Sequence, residues 1–441
     1  MANSLVKDAK LAPSGEKEFQ WAYLNMPLLK GIETRFGEEK PFTGMKIGVA
    51  LHLEKKTGVL LWALKQGGAE IIATSCNPLT TDDRIAAYLA SIGITVFAWA
   101  GETTEEYNEN IETVAATLPD IVIDDGADLI ALMHKNKKYK QNLIGACEET
   151  TTGVIRLKAM EKDRVLETPV MAVNNAYSKH LFDNYYGTGQ STVEAVMRAT
   201  NKLIAGTQVV VVGYGWCGKG IAQRFKGMGA RVTVVEIGHS FSDKAVSGYH
   251  KGLQALYDGF EVSNMNDASK IGDIFITATG NKHVISGAHL RQMKDGAIVA
   301  NSGHFDLEID IDFLEKNWKK KEIKDNIVGY ELNGIEHSEK NARAITEGDS
   351  KTIYVLSEGR LVNLSRPSGQ GHPIEIMDGS FAIQALCCEH LAKTKGTLEN
   401  KVYDVPFEID ELVAKLILQN HGIKLEKPTD EQINYHKSWD I

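Results

Sequence analysis

The chain has no apolar run approaching the roughly 20 residues that a membrane-spanning helix needs, so a membrane-embedded protein is not expected. Its opening, Met1-Ala2-Asn3-Ser4-Leu5-Val6-Lys7-Asp8, lacks the basic region and apolar stretch of a secretory signal, which points to the cytoplasm. There is no surplus of positive charge. Lys and Arg number 49 against 58 Asp and Glu, a net charge of −9, which speaks against nucleic acid or an anionic membrane as the main partner. Cysteine is sparse: Cys76, Cys147, Cys217, Cys387 and Cys388 are odd in number and form no CxxC pair. That spacing indicates neither a disulfide framework nor a zinc site, and no metal is expected. Buried thiols are the simplest reading, with a redox role as the alternative. Internal repeats and low-complexity segments are also missing.

What is present is the composition of an ordinary globular protein, 43% hydrophobic and 24% charged over 441 residues, enough for two or three domains. From Met45 strand and helix patterns alternate. Residues 47–51, 70–74, 96–99 and 121–123 read as strands, and 57–66, 83–91 and 103–118 as helices. A second series follows, with strands at 209–212, 232–235, 273–277, 297–300 and 327–329 and a helix at 218–225. Between them lie helical stretches at 174–184 and 190–204, a natural hinge. The pattern predicts an α/β protein of two doubly wound, Rossmann-like domains around a cleft, plus a short helical C-terminal tail. The expected division is 1–187 with 371–402 for substrate and catalysis, 188–370 for a dinucleotide, and 403–441 for the tail.

Gly213-Tyr214-Gly215-Trp216-Cys217-Gly218 follows four valines and opens a helix through Lys219 and Gly220. Strand, glycine turn, helix and next strand occur in the order of a dinucleotide fold, in which the helix N-terminus faces the pyrophosphate. Glu236 closes the next strand, 23 residues after Gly213, where an acid accepts the ribose hydroxyls and favours NAD over NADP. Glycines that merely turn a tight corner are the alternative.

Six segments together resemble the S-adenosylhomocysteine hydrolase family, in the short form of its archaeal and thermophilic-bacterial branch. They are Asp124-Asp125-Gly126-Ala127-Asp128, Glu148-Glu149-Thr150-Thr151-Thr152-Gly153, residues 213–220, Asn301-Ser302-Gly303-His304-Phe305-Asp306, Glu358-Gly359-Arg360-Leu361-Val362-Asn363-Leu364 and Gly371-His372-Pro373. The resemblance covers nearly the whole chain. It implies one tightly held NAD+ per subunit, a purine nucleoside thioether as substrate, and a homotetramer. The implied chemistry is temporary: the ribose 3′-hydroxyl is oxidised to a ketone, which acidifies the 4′ C–H. Homocysteine then leaves the 5′ carbon, water adds, and the ketone is reduced again.

Lys179 and Asp183 stand at i and i+4, on one helix face, where a surface salt bridge is the bland alternative. A lysine desolvated in a cleft can have its pKa lowered and act as a base. The resemblance implies that Lys179 takes the 3′-hydroxyl proton, that Asp183 holds the ribose hydroxyls, and that Asn184 joins them. It assigns Asp125, with His52 as partner, to proton transfer near the 4′ and 5′ carbons, and Glu149 to the ribose. It gives Thr150, Thr151 and Thr152 to the nicotinamide and Ser302, Gly303 and Asn363 to the cofactor. It turns His304 and His372 toward the cleft. Three threonines in a row also suit a strand or a helix cap, and each histidine suits an ordinary loop.

The match breaks in places. Many members carry Thr and Glu, facing the adenine edge, where this chain has Glu54 and Lys56. Glu54 suits a protonated ring nitrogen and Lys56 a 6-oxo group, which points to hypoxanthine or guanine being accepted, even preferred, over adenine. Leaving polar groups of a base unpaired costs about 1–3 kcal/mol each. A helix-start pair turned elsewhere is the alternative, and short members with the same Glu-x-Lys are taken to use the adenosyl substrate. Residues 238–251 and 365–371 form longer links than the family's usual ones. The tail lacks the Lys and Tyr that longer members lend to a neighbour's cofactor, which implies weaker or more self-sufficient NAD binding. Two other classes stay open: a plain NAD-dependent dehydrogenase, for example on a 2-hydroxy acid, and a non-catalytic nucleotide sensor.

Overall fold

Short aliphatic runs buried on both faces become parallel strands, because helices cover each side of the sheet and leave no solvent face to mark with polar residues. A computed structural model describes residues 4–239, 246–333 and 350–439. Its first strands are β1 (Lys46–Ala50), β2 (Glu70–Thr74), β3 (Thr95–Phe97), β4 (Ile121–Asp124), β5 (Gly145–Glu148) and β6 (Val170–Ala172). The second series is β7 (Gln208–Val212), β8 (Arg231–Val235), β9 (Glu261–Ser263), β10 (Ile274–Thr277), β11 (Ile298–Asn301), β12 (Lys319–Lys324), β13 (Ile327–Asn333) and β14 (Ser350–Leu356). A last strand, β15 (Val402–Asp404), returns to the first sheet.

Among the described residues these form a parallel sheet ordered β15-β6-β5-β4-β1-β2-β3 and a second ordered β12-β13-β14-β11-β10-β7-β8-β9. In the first, the order reverses between β1 and β4; in the second, between β7 and β10. Crevices at such switch points, beyond the carboxyl ends of the strands, are where doubly wound folds hold ligands. The two predicted Rossmann-like units are therefore present. Buried side chains line both faces of each sheet. Each fully buried Leu, Ile, Val, Phe or Met contributes about 1.5–3 kcal/mol.

Three features differ from the expectation. The strand foreseen at 327–329 runs to Asn333 and pairs antiparallel with β14, not parallel. Beyond it lies β12, Lys-Lys-Lys-Glu-Ile-Lys, exposed along its whole length. It has no buried face to announce a strand, and its lysines suit a sheet edge that must not recruit another chain. The tail expected to be helical from 403 begins as the end of β15, paired to β6.

The helices that matter to the site are α1 (Lys55–Gln66), α2 (Asp128–Lys135), α3 (Thr151–Lys162), α4 (Thr188–Thr200), α5 (Trp216–Gly227), α6 (Ile374–Lys393) and α7 (Phe407–Asn420). The connection between the two series is less regular. Tyr177–Lys179 is α-helical and His180–Gly187 is π-helical, running directly into α4. Of the cysteines, Cys217 is half-buried and the other four are buried; Cys147 and Cys388 bring their sulfurs to 3.9 Å. Of the 238–251 link, residues 240–245 lie outside the described residues, as do Asp440 and Ile441 of the tail.

Candidate active site

The carboxyl ends of both sheets face one cleft of about 1100 Å³. One buried polar group in it is built on the π-helical turn. A wider i→i+5 repeat brings Asn184 as well as Asp183 to the side of Lys179. The buried Lys179 ammonium lies 3.3 Å from Asp183 Oδ2, 3.5 Å from Glu149 Oε1, and donates to Asn184 Oδ1 at 3.0 Å and Asn174 Oδ1 at 3.3 Å. Burial pulls its pKa down, but Asp183, Glu149 and Asp125 more than offset this and raise it. The expectation of a lysine poised by desolvation is thus corrected: this one is held charged.

Burial works against the Asp183 carboxylate too, yet Lys179 and His372 together hold it well below the usual range. His372 Nδ1 touches Asp183 Oδ1, and its Nε2 is 3.2 Å from Thr188 Oγ1. Glu149 is different. Burial pushes its carboxyl up to about 7 despite the neighbouring lysine. Ser380 Oγ lies 3.0 Å from Glu149 Oε1 and 2.9 Å from Asp183 Oδ2. One hydroxyl proton cannot serve both, so a protonated Glu149 fits this geometry.

A second cluster sits at the β1/β4 switch point. Asp125 follows β4, with His52 Nε2 3.4 Å from its Oδ2 and His304 Nδ1 3.5 Å from its Oδ1. His304 arrives from the loop after β11, so the second domain completes this group. His52 is further fixed by Thr80, whose hydroxyl is 2.8 Å from Nδ1. Burial, only partly offset by Asp125, lowers the His52 pKa to about 4.

Across the cleft the chain turns sharply after β7. Gly213 has φ +98°, and a Cβ there would come within 2.8 Å of the Ala278 carbonyl. Gly215 caps α5, whose first N–H groups point at the cleft. Glu236 ends in the cleft wall, accepting from Tyr214 N at 2.5 Å. Lys219 covers the Trp216 ring at 4.7 Å. Thr150 occupies the cap position of α3 without bonding the helix start through its side chain, leaving its hydroxyl free of that duty. Ser302, paired with Thr192 at 2.9 Å, Gly303, and Asn363 also line the wall, with Thr151, Thr152 and Cys217. These residues fit a dinucleotide: glycine backbone and a helix start for phosphates, an acid for ribose hydroxyls. Gly218 and Gly220 lie behind the wall, and a Cβ on Gly220 would meet the Tyr185 carbonyl at 1.9 Å.

Two family models match the chain: the NAD binding domain of S-adenosyl-L-homocysteine hydrolase over residues 184–369, and S-adenosyl-L-homocysteine hydrolase over residues 3–144. The adenosylhomocysteinase of Sulfolobus acidocaldarius is 52% identical, over 98% of each chain. The S-inosyl-L-homocysteine hydrolase of Methanocaldococcus jannaschii is 50% identical over 98% of each, and the adenosylhomocysteinase of Aquifex aeolicus 49% over 99% of each. The chain belongs to the S-adenosyl-L-homocysteine hydrolase family. It is a hydrolase whose cofactor is NAD+.

In this member of the S-adenosyl-L-homocysteine hydrolase family, Glu54 and Lys56 both line the cleft. Glu54 caps α1 through Oε1, accepting from the backbone N–H of Lys56 and Thr57. Its Oε2 lies 2.9 Å from Lys56 Nζ, which also donates to the Gln370 carbonyl at 2.8 Å. The pair is thus both a helix start and a cleft wall. Burial lowers the Lys56 pKa, against the pull of Glu54. The 365–371 loop enters the site through Gln370.

Residues that sequence reasoning passed over are Thr80, Ser380, Gln384 and Asn174 in its bonded role. Gln384 Nε2 donates to Glu149 Oε2 at 2.5 Å. Ser380 and Gln384, spaced i and i+4 in the largely apolar α6, were the available signal. No described helix is long and apolar enough to cross a membrane.

Proposed function

We propose that this enzyme hydrolyses S-adenosyl-L-homocysteine reversibly to adenosine and L-homocysteine. The observation that carries the reading is the buried Lys179–Asp183–Glu149 group sharing one cleft with the glycine turn after β7. A ribose bound between them would have its hydroxyls among the carboxyls and its 3′ carbon toward the nicotinamide side. When bound, NAD+ supplies a reversible two-electron oxidation at that carbon. Lys179 takes the 3′-hydroxyl proton. Lys179 is held charged in the free enzyme, so it must give up a proton before it can take this one. Asp183 and Asn184 hold the hydroxyls and the ammonium in place. Asp125, flanked by His52 and His304, moves the protons at the 4′ carbon and the departing sulfur. His52, neutral above about pH 4, accepts without a standing charge of its own.

Burial of this chemistry between two domains excludes water until elimination is complete. A cytoplasmic homotetramer accompanies this reading, and light scattering checks the assembly. Incubating the purified protein with the thioether must release adenosine and homocysteine with no net gain in absorbance from reduced cofactor. Net reduction of added NAD+ would instead favour a dehydrogenase.

A second reading concerns the base. The Glu54–Lys56 ion pair offers a carboxylate and an ammonium side by side in the cleft wall, suited to the N1–H and O6 of a 6-oxopurine. Relatives at about half identity carry both names, adenosylhomocysteinase and S-inosyl-L-homocysteine hydrolase. Comparing kcat/KM for the adenosyl and inosyl thioethers decides; a strong adenosyl preference ends the second reading.

A further inference from the structure

Asp125 sits at the mouth of a turn that an ordinary chain would avoid. Gly126 has φ +105° and Ala127 φ +63°, two successive residues in the left-handed half of conformational space. For Ala127, which carries a Cβ, that conformation is strained. A glycine is required at 126, because a Cβ would come within 2.3 Å of His304 Nε2. Such a turn persists only where its surroundings hold it.

The hold comes from the next β-α unit. Glu148, the last residue of β5 and wholly buried (0% exposed), accepts Gly126 N–H at 2.9 Å with Oε1. The same oxygen accepts Thr150 N–H at 2.9 Å, at the start of α3. Gly153 clears the slot: a Cβ there would lie 2.2 Å from the Glu148 carboxyl carbon. On the other side of the same turn, Arg156 from α3 donates to the Gly126 carbonyl and, at 2.7 Å, to Asp128 Oδ1. Asp128 in turn accepts from Tyr107 at 3.0 Å. Burial, with repulsion from Asp124 and Asp125, drives the Glu148 carboxyl well above the usual range. Its Oε2 has no hydrogen-bond partner. Glu148 therefore meets the turn through a single oxygen that accepts twice.

We propose that Glu148 is a positioning residue: through Oε1 it locks the Asp125 turn to the start of the helix that presents Thr150, Thr151 and Thr152. The proton-transfer carboxylate and the cofactor-facing threonines then keep one register. Arg156 completes the lock from the carbonyl side. This rests on the reading of Asp125 given above, whereas the lock itself does not depend on the substrate.

Steady-state hydrolysis and amide hydrogen exchange of residues 124–130 are measured on the full-length holoenzyme. Glu148→Ala should lower kcat about 100-fold with KM within about 3-fold, the scale expected of a small misplacement of reacting groups. It should also speed exchange in the turn by about 10-fold or more, since a buried constraint is lost. Glu148→Gln, whose amide oxygen can accept both N–H groups, should recover most of kcat and slow exchange again. Arg156→Ala, at a half-exposed site, should lower kcat about 10-fold and also speed exchange. Parent-like kcat or parent-like exchange in Glu148→Ala overturns the proposal, as does a Gln variant no better than Ala. If Glu148→Ala fails to fold, parent-like kcat and exchange in Arg156→Ala overturn it. A parent enzyme inactive on the thioether would sink the functional reading alone, and exchange would still decide the lock.

Discussion

Lys179 illustrates how far single residues carry. Its i, i+4 partner Asp183 is visible in the sequence, and the pair does share a face. That Asn184 joins them depends on a π-helical repeat, which hydrophobic periodicity cannot reveal. Nor could its charge state be read, because Glu149 reaches it from just after β5, thirty positions earlier in the chain. Removing the ammonium takes away the charge that Asp183 and Glu149 share, leaving His372 beside Asp183. Lys179→Ala should therefore lower kcat by about 10²–10⁴-fold, the range for loss of a general acid–base group, as read by product formation. His52 makes a stability prediction. Its pKa falls from 6.5 unfolded to about 4 folded, so below pH 6.5 the unfolded chain binds the proton first. Stability must then drop as pH falls from 6.5 toward 4, by about 1.4 kcal/mol per pH unit within that window. Between pH 7 and pH 5 the parent should lose about 2 kcal/mol more than His52→Gln in denaturant titrations. Equal losses would mean that the ring is not kept neutral by burial.

Secondary-structure elements were legible where burial imposed a pattern. The aliphatic runs of β1, β2, β4, β7, β8, β10 and β11 all stand near their expected positions. β12 was not legible, since a fully exposed lysine-rich strand is held by its ladder to β13 and carries no apolar face. Long-range capping was equally hidden. Asp410, on α7, accepts from the backbone N–H of Tyr177 at 2.6 Å and Ser178 at 2.8 Å. It therefore satisfies the start of the helical turn that carries Lys179, from more than two hundred residues away. Asp378 does the same for the helix Pro27–Glu39 through Leu28 and Leu29. In sequence each is one acid in a helix. Asp410→Ala should lower stability by about 1–2 kcal/mol, the usual loss of an N-cap. Asp410→Asn, which keeps an acceptor, should lose less than half of that. If both variants unfold at the parent's denaturant midpoint, the cap does not hold the turn.

The molecule as a whole has its site split between two sheets, and that division has a thermodynamic consequence. Thr150–Thr152 and Asp125 belong to the first sheet's crevice, while the glycine turn, Glu236 and His304 belong to the second. A cofactor touching both must bind the joined domains better than either alone, so NAD+ should raise the stability of the entire chain in a single transition. At a free concentration 100 times Kd the gain is about 2.7 kcal/mol, and a further tenfold excess adds about 1.4 kcal/mol. Glu236 decides which dinucleotide does this. Its carboxylate already accepts from Tyr214 N, and a 2′-phosphate would confront that charge at the end of β8. Lys251, 4.0 Å from Glu236, is a nearby cation that could soften the repulsion. Geometry favours the acid, because Lys251 is half-exposed and its charge is screened by solvent. NADP+ at equal concentration should thus shift the unfolding transition less than NAD+, and Glu236→Gln should narrow the gap by weakening NAD+. Equal shifts for the two dinucleotides in the parent protein would transfer the discriminating role from Glu236 to Lys251.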